Sequence, residues 1–191
     1  MANNPLDTSL LDRAIEFAVR AHAGTERRGK GFPYIVHPME AMEIVATMTS
    51  DQELLAAAAL HDTVEDTPVT QGEIRAAFGD RIAELVASES DAQVEGSETD
   101  TWRARKQAGL QRLASASRDA KIVALGDKLS NMRAIARDYA LQGDALWALF
   151  HAPDPSDHAW RYHALADALR ELEDTFAFRE FEHLIHEVFD K

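Results

Sequence analysis

The sequence predicts an all-α fold, a single-domain helical bundle of about nine or ten helices spanning residues 1–191. Three observations predict it. Apolar residues recur at helical spacing through almost the whole chain. No alternating β-branched run is convincing as a strand. Glycine and proline cut the sequence into helix-sized pieces. With 46% hydrophobic residues among 191, such a domain is large enough to bury a core without staples.

Asp7-Thr8-Ser9 caps a first helix with the stripe Leu10, Leu11, Ile15, Ala18 and Val19. Gly24 and then Arg27-Arg28-Gly29-Lys30-Gly31-Phe32-Pro33 break it into a loop. A second helix begins at His37-Pro38, with proline in its first turn, and runs through Met42 and Val45 to Met48. Asp51 caps a third, from Gln52 to about Val64, whose Ala56 to Ala59 let another helix approach closely. Thr67-Pro68-Val69-Thr70 is a turn. Thr70 and Glu73 form a capping box for Ile74 to Phe78, and Gly79 separates that helix from Ile82, Leu85 and Val86.

Ser88 to Thr101 is the most polar stretch, and its composition predicts a mobile surface loop over the site. Two long helices follow, Trp102 to Ala114 and Arg118 to Tyr139. The second carries the stripe Ile122, Leu125, Leu129, Met132 and Ile135. After Leu141–Phe150 comes a turn at Pro153-Asp154-Pro155, then helices near Asp157–Leu172 and Thr175–Phe189. The last has an apolar stripe from Phe176 to Phe189 that suits core packing or a homo-oligomer contact.

The chain has no cysteine, which excludes disulfides and thiolate zinc sites, so a metal must sit on nitrogen and oxygen ligands. Met1-Ala2-Asn3-Asn4-Pro5 has neither a basic nor an apolar leader, and no 18 apolar residues follow one another. A soluble cytoplasmic protein without a membrane partner is the expectation. The formal charge of −13 argues against nucleic acid as a partner, which requires lysine and arginine facing phosphates. The charge is uneven, however. Residues 51–100 hold 13 acidic and two basic side chains, whereas 101–121 hold six basic ones and only Asp119 opposing. That pattern suits a small anionic ligand, or else a solvated helix face.

The chemistry centres on Leu60-His61-Asp62-Thr63-Val64-Glu65-Asp66. Adjacent histidine and aspartate present an imidazole and a carboxylate to one metal, and Glu65 and Asp66 can handle a water or its proton. Eight histidines and 17 aspartates in 191 residues give about 0.7 such pairs by chance, so the surroundings must supply the specificity. They do so with His37 in Tyr34-Ile35-Val36-His37-Pro38 and Asp127 in Leu125-Gly126-Asp127-Lys128-Leu129-Ser130-Asn131. Alone, His37 reads as a cap beside Pro38. Asp127, among Leu125 and Leu129, is a buried carboxylate that needs a partner. Two imidazoles and two carboxylates suit a divalent first-row ion. Mn²⁺ fits the oxygen-rich half, and Fe²⁺, Co²⁺ and Zn²⁺ remain open.

These words together resemble the metal site of the HD phosphohydrolase superfamily. More narrowly they resemble the RelA/SpoT-type alarmone hydrolase domain, on Arg27-Arg28, Pro33 to Pro38, His61 to Thr67, Ile74 to Gly79 and Gly126 to Arg133. The likeness spans roughly residues 10–140 and is greatest to the stand-alone small alarmone hydrolases. It implies metal ligation by His37, His61, Asp62 and Asp127, typically of Mn²⁺. Glu65 and Asp66 would position or deprotonate the attacking water. Arg27 and Arg28 would hold the purine base and phosphate edge, and Asn131 would lie near the sugar. The reaction implied is hydrolysis of the 3′-diphosphate of a guanosine or adenosine alarmone, a small-molecule nucleotide, with release of pyrophosphate.

Trp102 departs from the family pattern, standing where a basic residue often faces the phosphates. Charge is lost there unless Arg105 or Lys106 replaces it, while Trp102 either stacks on the base or joins the core. The acidic run Asp154 to Asp157 also stands where relatives tend to be basic. Two other readings use the same residues: another HD-type nucleotidase or 2′-phosphatase acting on an NADPH-like group, and a non-catalytic alarmone sensor.

Overall fold

A computed structural model describes residues 7–89, 98–150, 152 and 154–190. In chain order the helices are α1 (Ser9–Ala21), α2 (Val36–Ala46), α3 (Gln52–Leu60), the single turn α4 (Thr63–Asp66), α5 (Gln71–Phe78) and α6 (Asp80–Glu89). Then follow α7 (Glu98–Ala114), α8 (Arg118–Gln142), α9 (Pro155–Ala168) and α10 (Phe176–Phe189), with 3-10 turns at Gly143–Leu149 and Arg170–Leu172. Among the described residues the only β pairing is one bridge, Glu26 with Pro33, which closes the loop between α1 and α2.

Local chemistry starts these helices, at caps predicted from the sequence for α1, α3 and α5 and at two further ones. Asp51 accepts from the Glu53 amide at 2.9 Å, Ser117 from Ala120 at 3.2 Å and Thr175 from Phe178 at 3.1 Å. Thr70 and Glu73 form the expected reciprocal capping box. At α1 the expected cap is made by Asp7, whose carboxylate accepts from the Ser9 amide at 3.0 Å.

Helix α8 runs through the core with α2 and α3 against one side and α10 against another. Ala56 to Ala59 are at most 1% exposed, so the alanine run of α3 is the close-approach surface its composition predicts. Helices α2 and α8 approach closely at Gly126. A Cβ on Gly126 would come within 2.7 Å of both the Ala41 carbonyl oxygen and Val45 Cγ2. That absent side chain lets the helix carrying Asp127 close onto the helix carrying His37.

The structure departs from the sequence expectations at several ends. The third helix stops at Leu60, short of the expected Val64. The Thr63 hydroxyl takes the Leu60 carbonyl at 2.7 Å and the His61 ring takes that of Ala58 at 2.8 Å, which turns the chain before α4 restarts it. Leu141 belongs to α8, and Gly143 at φ +58° ends that helix, so 141–150 is a helix tail plus a 3-10 turn. Val19 is 47% and Phe176 70% exposed, so both leave their predicted stripes, whereas Phe178, Phe181, Ile185 and Val188 are buried. Of the polar stretch predicted as a loop, Ser88 and Glu89 end α6 and residues 98–101 begin α7. Residues 90–97 lie outside the described residues. Among the described residues no helix is long and apolar enough to cross a membrane.

Candidate metal centre

Three chain segments deliver four side chains to one point. His37 stands in the first turn of α2, His61 and Asp62 in the turn between α3 and α4, and Asp127 inside α8. His37 Nε2 lies 3.1 Å from Asp127 Oδ1 and 3.4 Å from Asp62 Oδ2. His61 Nε2 lies 2.9 Å from Asp62 Oδ2 and 3.5 Å from Asp127 Oδ1. The two imidazoles meet edge to face, 5.1 Å apart. Both histidines and Asp127 are buried, and they form a group able to hold a metal ion.

One atom tests the fit. His61 Nδ1 is engaged by the Ala58 carbonyl at 2.8 Å, and a carbonyl only accepts, so Nδ1 carries the ring hydrogen. Nε2 is therefore the nitrogen turned inward, a proton carrier between the carboxylates on its own and a lone-pair donor toward a cation. It is buried and has no hydrogen bond of acceptable geometry, although two carboxylates lie within ion-pair distance. A buried, unsatisfied nitrogen among acceptor oxygens is costly as it stands. It suits a cation held jointly by imidazole and carboxylate, the N/O donor set of a divalent first-row metal.

The surrounding charge keeps the carboxylates ionised. Burial alone would raise the carboxyl of Asp62, but the facing imidazoles of His61 and His37 outweigh it and hold it well below the usual range. At Asp127 burial is likewise outweighed, by the Lys128 ammonium and the same two imidazoles. His61 moves the other way: burial disfavours its charged form, yet Asp62 and Asp127 pull its pKa well above normal. Each carboxylate is also anchored from behind. Tyr34 donates its hydroxyl to Asp62 Oδ2 at 2.6 Å, while Lys128 Nζ and Asn131 Nδ2 each donate to Asp127 at 2.5 Å.

A cavity of about 170 Å³ opens on this centre. Its lining joins Glu65 and Asp66 to Asp62 and Asp127, and adds the cations Arg27, Lys106, Lys128 and Arg161. Arg27 is fixed by Nη2 donating to Asn131 Oδ1 at 2.6 Å, and its guanidinium sits 5.2 Å from the Tyr34 ring centre. Asn131 thus bridges Arg27 to Asp127. A neighbouring cavity of about 350 Å³ shares Arg27 and His37 and is lined further by Lys30, Arg137, Phe32 and Val36.

Of the residues singled out in the sequence, His37, Asp62, Asp127, Glu65, Asp66, Asn131, Arg27 and Lys106 line the cavity, and His61 sits beside it with Nε2 2.9 Å from Asp62 Oδ2. Arg28, Arg105 and Trp102 do not line it. Arg28 is exposed on the loop beyond Arg27. Trp102 is 8% exposed and packs in an aromatic cluster with His158 and Trp160, ring centres 5.6 and 6.5 Å away, so it takes the core alternative.

Four lining residues were not singled out. Tyr34 and Lys128 stand inside the quoted words, three residues before His37 and one after Asp127. Glu89 is the end of α6 and pairs with Lys128 at 3.2 Å. Arg161, on α9, lies far along the chain from every motif. Its one local signal is a cation between Trp160 and Tyr162 in an otherwise acidic segment.

Comparison with known proteins bears on this geometry. Residues 14–154 match the family model of the HD domain. The chain is 34% identical over 137 residues to a guanosine-3′,5′-bis(diphosphate) 3′-pyrophosphohydrolase, MESH1 of Danio rerio, a match covering 70% of this chain and 73% of that protein. It is 35% identical over 133 residues to the GTP pyrophosphokinase rsh of Brucella ovis, covering 68% of this chain but 17% of that larger protein. A solved structure described as a metazoan ortholog of SpoT that hydrolyzes ppGpp superposes with a TM-score of 0.75 at 22% identity. That match covers 96% of this chain and 97% of the other, a likeness of fold.

Proposed function

The chain belongs to the HD-domain family, and from that premise we propose that it is a divalent-metal-dependent hydrolase of purine nucleotide alarmones. It would remove the 3′-diphosphate of (p)ppGpp or of its adenosine counterpart as pyrophosphate. The observation that carries the reading is the convergence of His37, His61, Asp62 and Asp127 at the floor of a cavity whose wall holds Glu65 and Asp66. The homology to MESH1 supplies the substrate class.

His37, His61, Asp62 and Asp127 would hold the ion, with Mn²⁺ preferred for the oxygen-rich half of the set. When bound, a divalent ion polarises a phosphoryl oxygen and makes water more acidic. The chain's own groups do the rest. Glu65 and Asp66 orient the attacking water and accept its proton. The water oxygen adds to the phosphorus attached to O3′, the O3′–P bond breaks, and O3′ leaves as a hydroxyl after taking up a proton. Arg27, Lys106, Lys128 and Arg161 face the charge that builds on the phosphoryl oxygens. The adjoining cavity, with Phe32 and Val36 beside Lys30 and Arg137, offers an apolar wall and cations for the base and distal phosphates.

A substrate panel tests the class. Guanosine and adenosine 3′,5′-bisdiphosphates, a nucleoside monophosphate and a 2′-phosphorylated dinucleotide are each incubated with Mn²⁺-loaded protein. Pyrophosphate from a bisdiphosphate supports the proposal, and the ratio of the two rates assigns the base. Orthophosphate from the other two compounds alone contradicts it.

A further inference from the structure

His37 points only one ring nitrogen at the metal centre. The other, Nδ1, faces Ser130 Oγ at 2.8 Å, and Ser130 Oγ donates to Glu40 Oε2 at 2.8 Å. A hydroxyl has a single hydrogen, and a carboxylate can only accept. With that hydrogen directed at Glu40, Ser130 Oγ is an acceptor toward His37. Nδ1 must then carry an imidazole proton, which leaves Nε2 as the nitrogen that can serve the centre.

Glu40 is held in turn. Arg133 Nη1 lies 3.4 Å from its Oε1, while the rest of the guanidinium grips Glu180 on α10 with two bonds, 2.7 Å from Nε and 2.8 Å from Nη2. The side chains of Glu40, Arg133 and Glu180 are only 24, 27 and 25% exposed, so these pairs are partly sheltered from solvent. The contrast with His61 is informative, because its Nδ1 rests on a backbone carbonyl that no substitution removes. His37 is the imidazole of this centre whose tautomer depends on side chains.

We infer that Ser130 and Glu40 are positioning residues that fix the tautomer and orientation of His37, and that Arg133 and Glu180 tie this arrangement to the C-terminal helix α10. The inference rests on the reading of His37 as a metal ligand. It makes metal affinity sensitive to a helix that lines neither cavity described above.

The same bonds could serve only to hold α2, α8 and α10 together, and the test separates the two roles. Protein loaded with Zn²⁺, which is diamagnetic, is studied by ¹⁵N NMR of the imidazoles. Mn²⁺ affinity is read from the EPR signal of the free ion. The expected result is a His37 proton on Nδ1, protected from exchange. Ser130→Ala should lose that protection and bind Mn²⁺ about 10–100-fold more weakly. Ser130→Thr, which keeps the hydroxyl, should restore both, and Glu180→Gln should weaken Mn²⁺ binding severalfold.

A His37 proton found on Nε2 in the unmutated protein overturns the inference whether or not the variants fold. So does Ser130→Ala with undiminished Mn²⁺ affinity, and Glu180→Gln with unchanged affinity overturns the link to α10. These readouts do not depend on turnover. Protein that binds both ions yet cleaves no alarmone refutes the proposed reaction and leaves this inference standing; protein that binds neither refutes the metal centre and this inference together.

Discussion

The hydroxyl of Tyr34 lies 2.6 Å from Asp62 Oδ2 and donates to it, joining the loop before α2 to the turn after α3 at the candidate metal centre. Burial and the neighbouring Asp62 push the phenol far above its usual pKa, so it remains a donor throughout the working pH range. The ring itself is held separately, stacked on His22 at 4.8 Å and faced by Arg27. Tyr34→Phe therefore removes one hydrogen bond and keeps the packing. The fold should survive, while Mn²⁺ affinity falls about tenfold, the lower end of what an outer partner of a metal ligand contributes. Titration with Mn²⁺ by EPR checks this, and unchanged affinity would show that the bond does not orient Asp62.

The centre and the acidic wall should separate by mutation. Asp62→Ala removes a carboxylate shared by both imidazoles, so metal and activity should disappear together. Glu65→Ala alters the cavity wall; metal content should stay at the unmutated level while turnover drops by about 10²–10⁴, the range for losing a general base. Metal analysis of the purified variants beside their rates decides the matter. A Glu65→Ala protein with full turnover would remove Glu65 from the mechanism.

Gly126 is a packing prediction with a consequence for the site. Adding a Cβ there drives it to 2.7 Å from the Ala41 carbonyl oxygen, a backbone atom that cannot rotate away. Gly126→Ala should cost about 1–3 kcal/mol of stability as α2 and α8 are pushed apart. The same displacement separates His37 from Asp127, so metal affinity should fall as well. Urea unfolding and Mn²⁺ titration of one preparation read both effects.

Arg81 gives a pH dependence remote from the site. Its guanidinium reaches Asp51 and Asp119 at 2.8 Å each, and also Glu53, joining α6 to the starts of α3 and α8. For Asp51 slight burial is outweighed by the Arg81 hydrogen bond and the Glu53 amide, so its pKa in the folded protein lies below the ordinary carboxyl value. A depressed carboxyl contributes stability above its unfolded pKa and loses it as pH falls through the folded value. Arg81→Leu should thus lower stability at neutral pH by about 1 kcal/mol or less, since these groups are solvent-screened. The difference from the unmutated protein should shrink below pH 4, as urea midpoints at pH 7 and pH 3 would reveal.

The site was legible in the sequence where its residues lie inside compact words. His61-Asp62 and Glu65-Asp66 are neighbours in the chain, and His37 and Asp127 each stand in a recognisable hexad or octad of residues. Arg161 was not legible, because only the packing of α9 beside the cavity brings it near Asp127. Trp102 stands by resemblance where relatives carry a basic residue, and no local pattern reveals its burial against His158 and Trp160. The end of α3 was misplaced for a different reason. Nothing between Ala56 and Val64 is a helix breaker, and the turn is made by side chains of Thr63 and His61 taking backbone carbonyls. Such a competition is decided by tertiary context, since His61 must turn its Nε2 toward α8.

The most direct measurement is product analysis of metal-stripped protein incubated with guanosine 3′,5′-bisdiphosphate, with and without added Mn²⁺. The proposed four-ligand centre and its acidic wall predict stoichiometric pyrophosphate and guanosine diphosphate in the presence of Mn²⁺ and neither product in its absence. Intact substrate from protein shown to carry its metal would contradict the proposed reaction, and equal product without any metal would contradict the role given to His37, His61, Asp62 and Asp127.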